Sequence, residues 1–391
     1  MSASPIAPRP EHVLGEPTLE GLARYIKKND VRRILVLVGA GASVAAGIPD
    51  FRSPDTGIYA NLGKYNLDDP TDAFSLALLR EKPEIFYSIA REINLWPGHF
   101  QPTAVHHFIR LLQDEGRLLR CCTQNIDGLE KAAGVSPELL VEAHGSFAGA
   151  ACIDCHTPFS IEQNEIEAMS GVISRCTTCG GIVKPNVVFF GESLPDAFFD
   201  ALHHDAPSAE LLIIIGTSLQ VHPFALLPCF VPQWVPRVVM NRERVGGFLF
   251  RFPDDPLHTA LGDAAASEGR SPSSKASTPS ASVGRGEEEQ LDKASQSSHE
   301  KRGEASSSSS SDGYGDYGHY NVHPDVCRDV LFRGDCQANA VRLAACLGLS
   351  EALEKRMRLS DAAPAAAQRL PLETMSGAAS RALTDGGFGA R

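Results

Sequence analysis

The chain has 391 residues, of which 43% are hydrophobic and 21% are charged, a composition typical of a folded protein with a sizeable core. Its formal net charge of -12 argues against tight, sequence-independent binding to nucleic acid and suits cationic partners such as lysine-rich peptides. Because no run of 18 apolar residues is present and the first residues lack the apolar core of a signal peptide, we expect a soluble protein of the cytoplasm or the nucleus, with no membrane contact.

Short apolar runs predict buried strands, and each run is followed by a polar turn. The predicted strands are residues 34–38, 118–122, 139–142, 211–215 and 237–240, and the pattern resumes at residues 326–332. Helical patterns separate the runs, as in a doubly wound α/β sheet, where ligands bind at the carboxyl ends of the strands. We therefore predict an α/β fold with a Rossmann-like parallel sheet domain and a smaller domain made of a helical insert and a zinc-binding insert.

The turn after the first strand resembles a nucleotide-binding loop up to the position of the third glycine in that pattern. Gly39 and Gly41 follow the apolar run, as expected where backbone approaches a phosphate closely. The dehydrogenase pattern G-x-G-x-x-G requires a third glycine where this chain has Val44. An ordinary NAD dehydrogenase is therefore disfavoured.

Three stretches interrupt the strand and helix alternation. Residues 57–102 predict helices, and residues 149–184 contain two C-x-x-C pairs. Residues 262–320 are rich in serine and charge and have too few large aliphatic residues to bury, which predicts disorder. The large domain is predicted at residues 25–56, 103–148, 185–261 and 321–349, the small domain at 57–102 and 149–184, and a second disordered segment at 359–391.

The cysteine pairs are the most specific local motif. Cys152 and Cys155 form one C-x-x-C, and Cys176 and Cys179 form the other, which together predict a tetrahedral zinc site. Four sulfur ligands leave no open coordination position, so the metal is expected to be structural. A zinc-ribbon module that binds nucleic acid would need a basic face, and the acid excess of the chain disfavours it.

Polar residues at the ends of the predicted strands are the candidates for chemistry. Gln124, Asn125 and Asp127 follow the second strand, and His144 follows the third. Taken singly, these residues are equally typical of turns, caps and structural histidines. Their shared placement at strand ends predicts a common site.

The order of short motifs resembles the sirtuins, NAD-dependent protein lysine deacylases, and is most similar to their class I branch. The motifs are "GAGAS", "GIPDFRS", "TQNIDGL", "HG", the paired C-x-x-C, "KPNVVFFGE", "GTSL" and "MNRE". The resemblance covers residues 25–260 and resumes at 321–347. It implies that NAD binds in a reversed sense compared with dehydrogenases, so that the third glycine is not required.

The resemblance also implies a set of site residues. His144 is the general base, with Asn125 and Asp127 as the other catalytic residues, and residues 50–52 belong to a mobile cofactor loop. The implied NAD-binding residues are Gly39, Ala40, Gly41, Ser43, Asp50, Phe51, Arg52, Gln124, Asn125, Ile126, Asp127, Gly216, Thr217, Ser218, Asn241, Arg242, Glu243 and Cys336. Peptide substrate is expected to pair by β-augmentation with Val188, Phe189, Phe190, Gly191, Glu192, Leu219, Gln220 and Val221.

The implied reaction is deacetylation or deacylation of lysine, with nicotinamide, free lysine and O-acyl-ADP-ribose as products. The implied cofactors are NAD and one structural Zn²⁺ per chain. Acyl-lysine proteins, such as histones or cytoskeletal proteins, are the expected partners. Mono-ADP-ribosyl transfer to protein, which uses the same NAD site, stays open as the alternative, as does the oligomeric state.

Overall fold

The computed structural model describes residues 12–246, 250 and 327–362. Within them, six parallel strands form one sheet and three antiparallel strands form a second, smaller sheet. The strands are β1 Ile34–Val38, β2 Leu118–Thr123, β3 Leu140–Glu142, β4 Gly145–Cys152, β5 Pro158–Phe159, β6 Val183–Val187, β7 Leu211–Ile215, β8 Arg237–Asn241 and β9 Asp329–Arg333.

The large sheet has the order β3-β2-β1-β7-β8-β9. In its own chain order this is 3-2-1-4-5-6, the arrangement of a Rossmann fold, so the predicted fold class is confirmed. Successive strands are added on one side of β1 up to β3 and on its other side from β7 onward, and the parallel pair β1 and β7 runs from Ile34 opposite Leu211 to Val38 opposite Ile215. A crevice is therefore expected at the carboxyl ends of these two strands.

The sheet is buried on both faces because its strands are apolar throughout. All five residues of β1 are inaccessible to solvent, and successive side chains point to opposite faces. Val36 packs into a core with the helices on one face, whereas Leu35 and Leu37 pack into a second core on the other face. This double covering fixes the strand ends that carry the polar turns.

The helices of the described residues cover both faces of the sheet and build the insert. The α-helices are α1 Leu19–Lys28, α2 Leu76–Glu81, α3 Pro83–Ile93, α4 Ala104–Asp114, α5 Leu129–Ala132, α6 Ile161–Met169, α7 Asp196–Asp200, α8 Ala206–Ser208, α9 Leu227–Phe230, α10 Cys336–Leu347 and α11 Ser350–Ala362. A π-helical turn at Ala201–Asp205 joins α7 to α8, and 3-10 helices lie at Ala40–Ala42, Val44–Ala46, Tyr59–Tyr65, Pro70–Phe74, Pro137–Leu139 and Phe224–Leu226. No described helix is long and apolar enough to cross a membrane.

Two inserts pack together beside the sheet. The cysteine module, residues 145–187, comprises the small sheet β5-β4-β6 and α6, and the helical insert, residues 59–93, comprises two 3-10 helices, α2 and α3. The buried Tyr87 of the helical insert joins them, because its hydroxyl donates to the carbonyl of Val183 and accepts from the amide of Asn164. A shared core around Trp96 and Phe147 completes the contact.

The first five predicted strands are present in the structure, and their observed ends differ from the predicted ends by at most one residue. The last strand begins at Asp329 instead of near residue 326, and it pairs with β8. The predicted disorder from residue 359 is wrong for its first four residues, since α11 continues to Ala362 and packs against α4, with Arg356 paired to Asp114. The predicted disordered segment at 262–320 lies outside the described residues.

Candidate active site

A cavity of about 710 Å³ lies at the carboxyl ends of the large sheet. Its wall includes the residues that directly follow four strands, namely Gly39 after β1, Gln124 after β2, Gly216 after β7 and Gly334 after β9. Its volume lies in the range of small-molecule sites. The crevice expected from the strand order is therefore present, and the turns predicted to converge do converge.

The glycines allow two turns to touch at the floor of the cavity. A Cβ on Gly41 would lie 2.8 Å from the Cα of Gly216, and Gly216 itself has a φ of +62°. Only residues without a side chain permit this approach. The chain then forms two short 3-10 helices instead of the long helix of a dehydrogenase loop, and Val44 begins the second and lines the cavity. This explains why the third glycine position can hold valine.

Amide side chains connect the turns to one another. The Nε2 atom of Gln124 donates to the hydroxyl of Thr217 at 2.7 Å. The Nδ2 atom of Asn125 donates to the carbonyl of Gly39 and to the hydroxyl of Ser43, both at 3.2 Å. Three strand ends are thus held in register by side chains that also form the cavity wall.

Residues 50–53 form a turn that is organised by Asp50. Its carboxylate accepts from the backbone amides of Arg52 at 2.9 Å and Ser53 at 2.6 Å. Burial opposes the charge of this carboxylate, but the hydrogen bonds from Ser53 and Arg52 hold the pKa of Asp50 below its usual value. Phe51 packs on Tyr59 and Phe74, with ring centroids 5.6 and 5.8 Å away, which fixes the loop against the helical insert.

His144 lines the cavity in a form suited to accept a proton. Its Nδ1 atom lies 3.0 Å from the carbonyl of Gln124. Because a carbonyl can only accept, Nδ1 carries the hydrogen and Nε2 is left as the basic nitrogen. Burial lowers the pKa of His144, although the bond to Gln124 opposes the shift, so the imidazole is neutral at neutral pH.

The donor set of the cavity fits NAD. Thr217, Ser218 and Asn241 present hydroxyl and amide groups that suit ribose, and Arg52 and Arg242 supply cations for a diphosphate. The glycine turn supplies close backbone approach. The cavity therefore offers groups for both the sugars and the phosphates of the cofactor.

The four cysteines of the cysteine module form one cluster. Their sulfurs all lie within 4.8 Å of one another, with Sγ distances of 3.5 Å for Cys152 to Cys179 and for Cys155 to Cys176. Zinc with bonds of about 2.3 Å places tetrahedral sulfurs about 3.8 Å apart, so the set fits one structural Zn²⁺. Backbone amides two residues after Cys152 and Cys176 point at those sulfurs at 3.4 Å, as in a zinc knuckle.

Most predicted cofactor residues line the cavity, but Ser43 and Asp127 do not. Ser43 is buried behind the wall, and its hydroxyl donates to the carboxylate of Asp127 at 2.7 Å. The remaining predicted cofactor residues on the wall are Gly39, Ala40, Gly41, Asp50, Phe51, Arg52, Gln124, Asn125, Ile126, Gly216, Thr217, Ser218, Asn241, Arg242, Glu243 and Cys336.

The predicted peptide segment is more constrained than the sequence indicated. The amides of Val188 and Phe190 donate to the carbonyls of His144 and Phe74, and those of Phe189 and Glu192 donate within the segment. These amides cannot also pair with a peptide. Gly191 and Gln220 are exposed on the cavity wall, as is half-buried Val221, whereas the side chain of Leu219 packs in the core.

Sequence reasoning missed several cavity residues. Phe74 comes from the helical insert, and no motif indicated that it would reach the sheet edge. Gln337 anchors the start of α10, because its amide donates to the carbonyl of Ala42 and accepts from the amide of Val105. Others missed are Val44, Ala45, Ser53, Pro54, Val187, Leu194, His222, Pro223, Val245, Gly334 and Asp335, of which only Ser53 and Val187 stood in a quoted motif.

Comparison with known proteins identifies the family. A model described as the Sir2 family matches residues 39–223. The NAD-dependent protein deacetylase SIR2rp1 of Leishmania major is 79% identical over 374 residues, which are 96% of this chain and 100% of the relative. The protein of the same name from Trypanosoma brucei brucei is 51% identical over 348 residues, 89% of this chain and 92% of the relative. NAD-dependent protein deacetylase sirtuin-2 of Danio rerio is 48% identical over 238 residues, 60% and 62% of the two chains. The resemblance seen in the sequence is confirmed, and the chain belongs to the Sir2 family.

Proposed function

We propose that this protein is an NAD-dependent protein lysine deacetylase. The observation that carries the proposal is the neutral imidazole of His144 in a cavity whose other groups fit NAD. The two trypanosomatid relatives, which span nearly the whole chain, are named NAD-dependent protein deacetylases. Family, cavity and base thus agree on one reaction.

The side chains divide the work around His144. NAD held by the residues of this cavity would supply an electrophilic sugar carbon for the acyl oxygen and nicotinamide as a leaving group. Nε2 of His144 takes a proton from a ribose hydroxyl, while the Gln124 carbonyl holds the ring in the required tautomer. Asn125 and Gln124 line the cavity and are assigned to the sugar and the carboxamide, and Phe51, also on the wall, is assigned to shield them from water.

The substrate peptide is proposed to lie between the segments that contain Gly191 and Gln220. Both residues are exposed at the cavity wall, and the exposed ring of Phe190 flanks them. Pairing is expected to use the main chain of Gly191 and of residues 220–221, because the neighbouring amides are engaged within the protein. Recognition through main chain predicts broad tolerance of flanking sequence.

Acetyl and longer apolar acyl groups are the proposed substrates. Phe51, Phe74, Val187 and Phe189 give the cavity an apolar wall on the side of the two inserts. A carboxylate buried against such a wall would carry a heavy desolvation cost. Acetyl-lysine is therefore expected to be cleaved faster than succinyl-lysine.

Acylated histones and cytoskeletal proteins of the cytoplasm and nucleus are the proposed partners. The acid excess of the chain favours lysine-rich segments. The unpaired cysteines and the thiolate site for zinc suit a reducing compartment.

The test measures nicotinamide release with NAD, first with an acetyl-lysine peptide and then with the same peptide carrying free lysine. Release is expected only with the acetylated peptide and in equal amount to deacetylated product. Release that proceeds equally without acetyl-lysine, with ADP-ribose transferred to protein, would instead establish the ADP-ribosyltransferase alternative.

A further inference from the structure

A cluster of titratable side chains, which includes the predicted catalytic residue Asp127, lies behind the cavity wall. It consists of His106 on α4, Asp127 on the turn after β2 and Glu130 in α5. One ligand atom from each residue lies within 4.8 Å of the others. His106 and Glu130 are buried to 0% and 1% exposure, so solvent does not separate them.

The hydrogen bonds of His106 assign its tautomer. Its Nδ1 atom accepts from the backbone amide of Thr103 at 3.0 Å, in the capping box of α4. Burial lowers the pKa of His106 to about 3, so the ring is neutral and its hydrogen is on Nε2. Nε2 is therefore a potential donor, buried without a hydrogen-bond partner among the described residues, and it has no lone pair with which to bind a metal.

The two carboxyl groups differ in how they are solvated by the protein. Burial raises the pKa of Asp127, but this carboxylate accepts from the backbone amide of Leu129 at 2.9 Å and from the hydroxyl of Ser43 at 2.7 Å, and both bonds favour its charged form. Both oxygens of Glu130 are fully buried, and neither has a hydrogen-bond partner of good geometry among the described residues. If one proton is present on the pair, it belongs on Glu130.

The groups that face Glu130 strengthen this assignment. Burial and the charge of Asp127 raise the pKa of Glu130 to about 8, against the opposing effects of the Thr123 hydroxyl and a backbone amide, and Glu142 on β3 adds a smaller raising contribution. Cys121 on β2 also faces it, and burial raises the pKa of that thiol as well. The titratable neighbours are thus acids, a thiol and the neutral His106.

A chain of hydrogen bonds connects this cluster to the cavity. Asp127 accepts from Ser43, and Ser43 accepts from Nδ2 of Asn125, which lies on the cavity wall. The orientation of the Asn125 amide therefore depends on an acceptor two side chains behind it. A second negative charge beside Asp127 would disturb that acceptor.

We propose that Glu130 is a positioning residue, held as a neutral acid so that Asp127 is the single charge that orients Ser43 and Asn125. This inference rests on the proposed function, since Asn125 is assigned there to the sugar and carboxamide of NAD. Its consequence is an alkaline limit to turnover. When pH rises through the pKa of Glu130, its carboxylate becomes a second negative charge beside Asp127, and the amide of Asn125 loses its orientation in the cavity wall.

The experiment compares Glu130→Gln with wild type and with Glu142→Gln, a nearby acid outside the hydrogen-bond chain. For each protein, kcat and the KM for NAD are measured from neutral to alkaline pH with an acetyl-lysine peptide. Wild type is expected to lose kcat above the pKa of Glu130, and Glu142→Gln at a slightly lower pH because the charge of Glu142 contributes to that pKa. Glu130→Gln, which cannot ionise, should stay level and within about twofold of wild type at neutral pH. The same alkaline loss in Glu130→Gln would overturn the proposal.

Thermal unfolding supplies a readout that needs no catalysis, and so separates failure of this inference from failure of the proposed function. The folded pKa of Glu130 is raised from 4.5 to about 8, so the folded protein holds a proton that the unfolded chain loses, and stability falls as pH rises across that window. Glu130→Gln lacks this fall in stability, so the difference between its Tm and that of wild type should increase in favour of the variant as pH rises. A constant Tm difference at all pH values would contradict the proposal.

If Glu130→Gln does not fold, infrared spectroscopy of the wild type decides the point. A protonated carboxyl band that disappears at alkaline pH in the Glu142→Gln protein and in wild type alike supports a neutral Glu130. Absence of any such band at neutral pH, or a second metal ion per chain in addition to zinc, would overturn it.

Discussion

In the cysteine module, four thiols from residues 152–179 meet at a site where two of the cysteines are exposed, whereas the cavity collects side chains from residue 39 to residue 337. Around its sulfurs the module has a small core of Ala150, Cys152, Cys176 and Val183, while its remaining buried apolar residues lie in the core shared with the helical insert. The cavity stands on a sheet with buried cores on both faces. The metal therefore holds the module together, and the core holds the cavity together.

This difference predicts which changes affect chemistry and which affect folding. The side chain of His144 on the cavity wall can be lost without loss of structure, because it belongs to neither of the two cores that cover the sheet. A zinc ligand cannot be lost in this way, because little apolar burial remains to hold its surroundings. The predictions below test this division.

The largest effect is expected from His144→Ala. Loss of a general base costs about 10² to 10⁴ in rate, so kcat for deacetylation should fall by that factor. Zinc content, Tm and affinity for NAD should stay near those of wild type. His204→Ala, at an exposed histidine outside the cavity, is the matched control. Parallel loss of Tm and turnover in His144→Ala would show that the ring is part of the core instead.

A smaller loss of turnover, with loss of metal, is expected from Cys176→Ala. Wild type should contain about one Zn²⁺ per chain and the variant almost none, because thiolate binding and folding of the module are coupled. Turnover should fall at least about tenfold, since β6 leads directly into the cavity residues 188–192. Metal analysis and calorimetry check this, with Cys346→Ala, outside the module, as control. A zinc-free variant with full activity would contradict the conclusion that the metal holds the cysteine module together.

Predictability from sequence follows the same division. The zinc site could be predicted from spacing alone, because Cys152 and Cys155 form one local turn and Cys176 and Cys179 another. The strands of the sheet were predictable because continuous apolar runs such as residues 211–215 are fully buried. The turns at Gly39 and Gly216 followed, since parallel strands bring their carboxyl ends to one edge.

The rest depends on contacts between residues far apart in the chain. The reach of Phe74 to the cavity is set by its packing on Phe51 and Phe189, which no periodicity reveals. The position of Ser43 behind the wall depends on its bond to Asp127. Ser43 and Asp127 each stand in a motif that was identified from the sequence, but the sequence could not show that they lie behind the cavity wall.

The pH dependence of turnover is a further test of the difference between the cavity and the cysteine module, with a smaller expected effect than the His144 and Cys176 substitutions. Burial lowers the pKa of His144 from its usual 6.5, and only the neutral ring can act as base. Activity should therefore be level down to pH 6.5 and fall only below it, by at most about tenfold per pH unit. Zinc content measured at each pH is the control, since acid also protonates thiolates. If turnover falls only where zinc is lost, the fall belongs to the cysteine module. A fall in turnover that begins above pH 6.5 would contradict the buried, neutral His144.

The smallest effect is expected where the helical insert meets the zinc knuckle. Arg80 of α2 pairs with Asp154 at 2.6 Å, and Asp154 lies between the two cysteines of the first C-x-x-C. Both side chains are close to half exposed, at 49% and 41%, so solvent screens the pair and it contributes roughly 0 to 1 kcal/mol. Arg80→Met should therefore change Tm slightly and leave zinc content and turnover unchanged, as should Arg24→Met, which removes a more exposed pair with Glu16 elsewhere. Because the backbone amide of Asp154 bonds to Cys152 whether or not its carboxylate is paired, the knuckle does not need Arg80. Loss of zinc in Arg80→Met and not in Arg24→Met would show that the helical insert, as well as the metal, holds the knuckle in place.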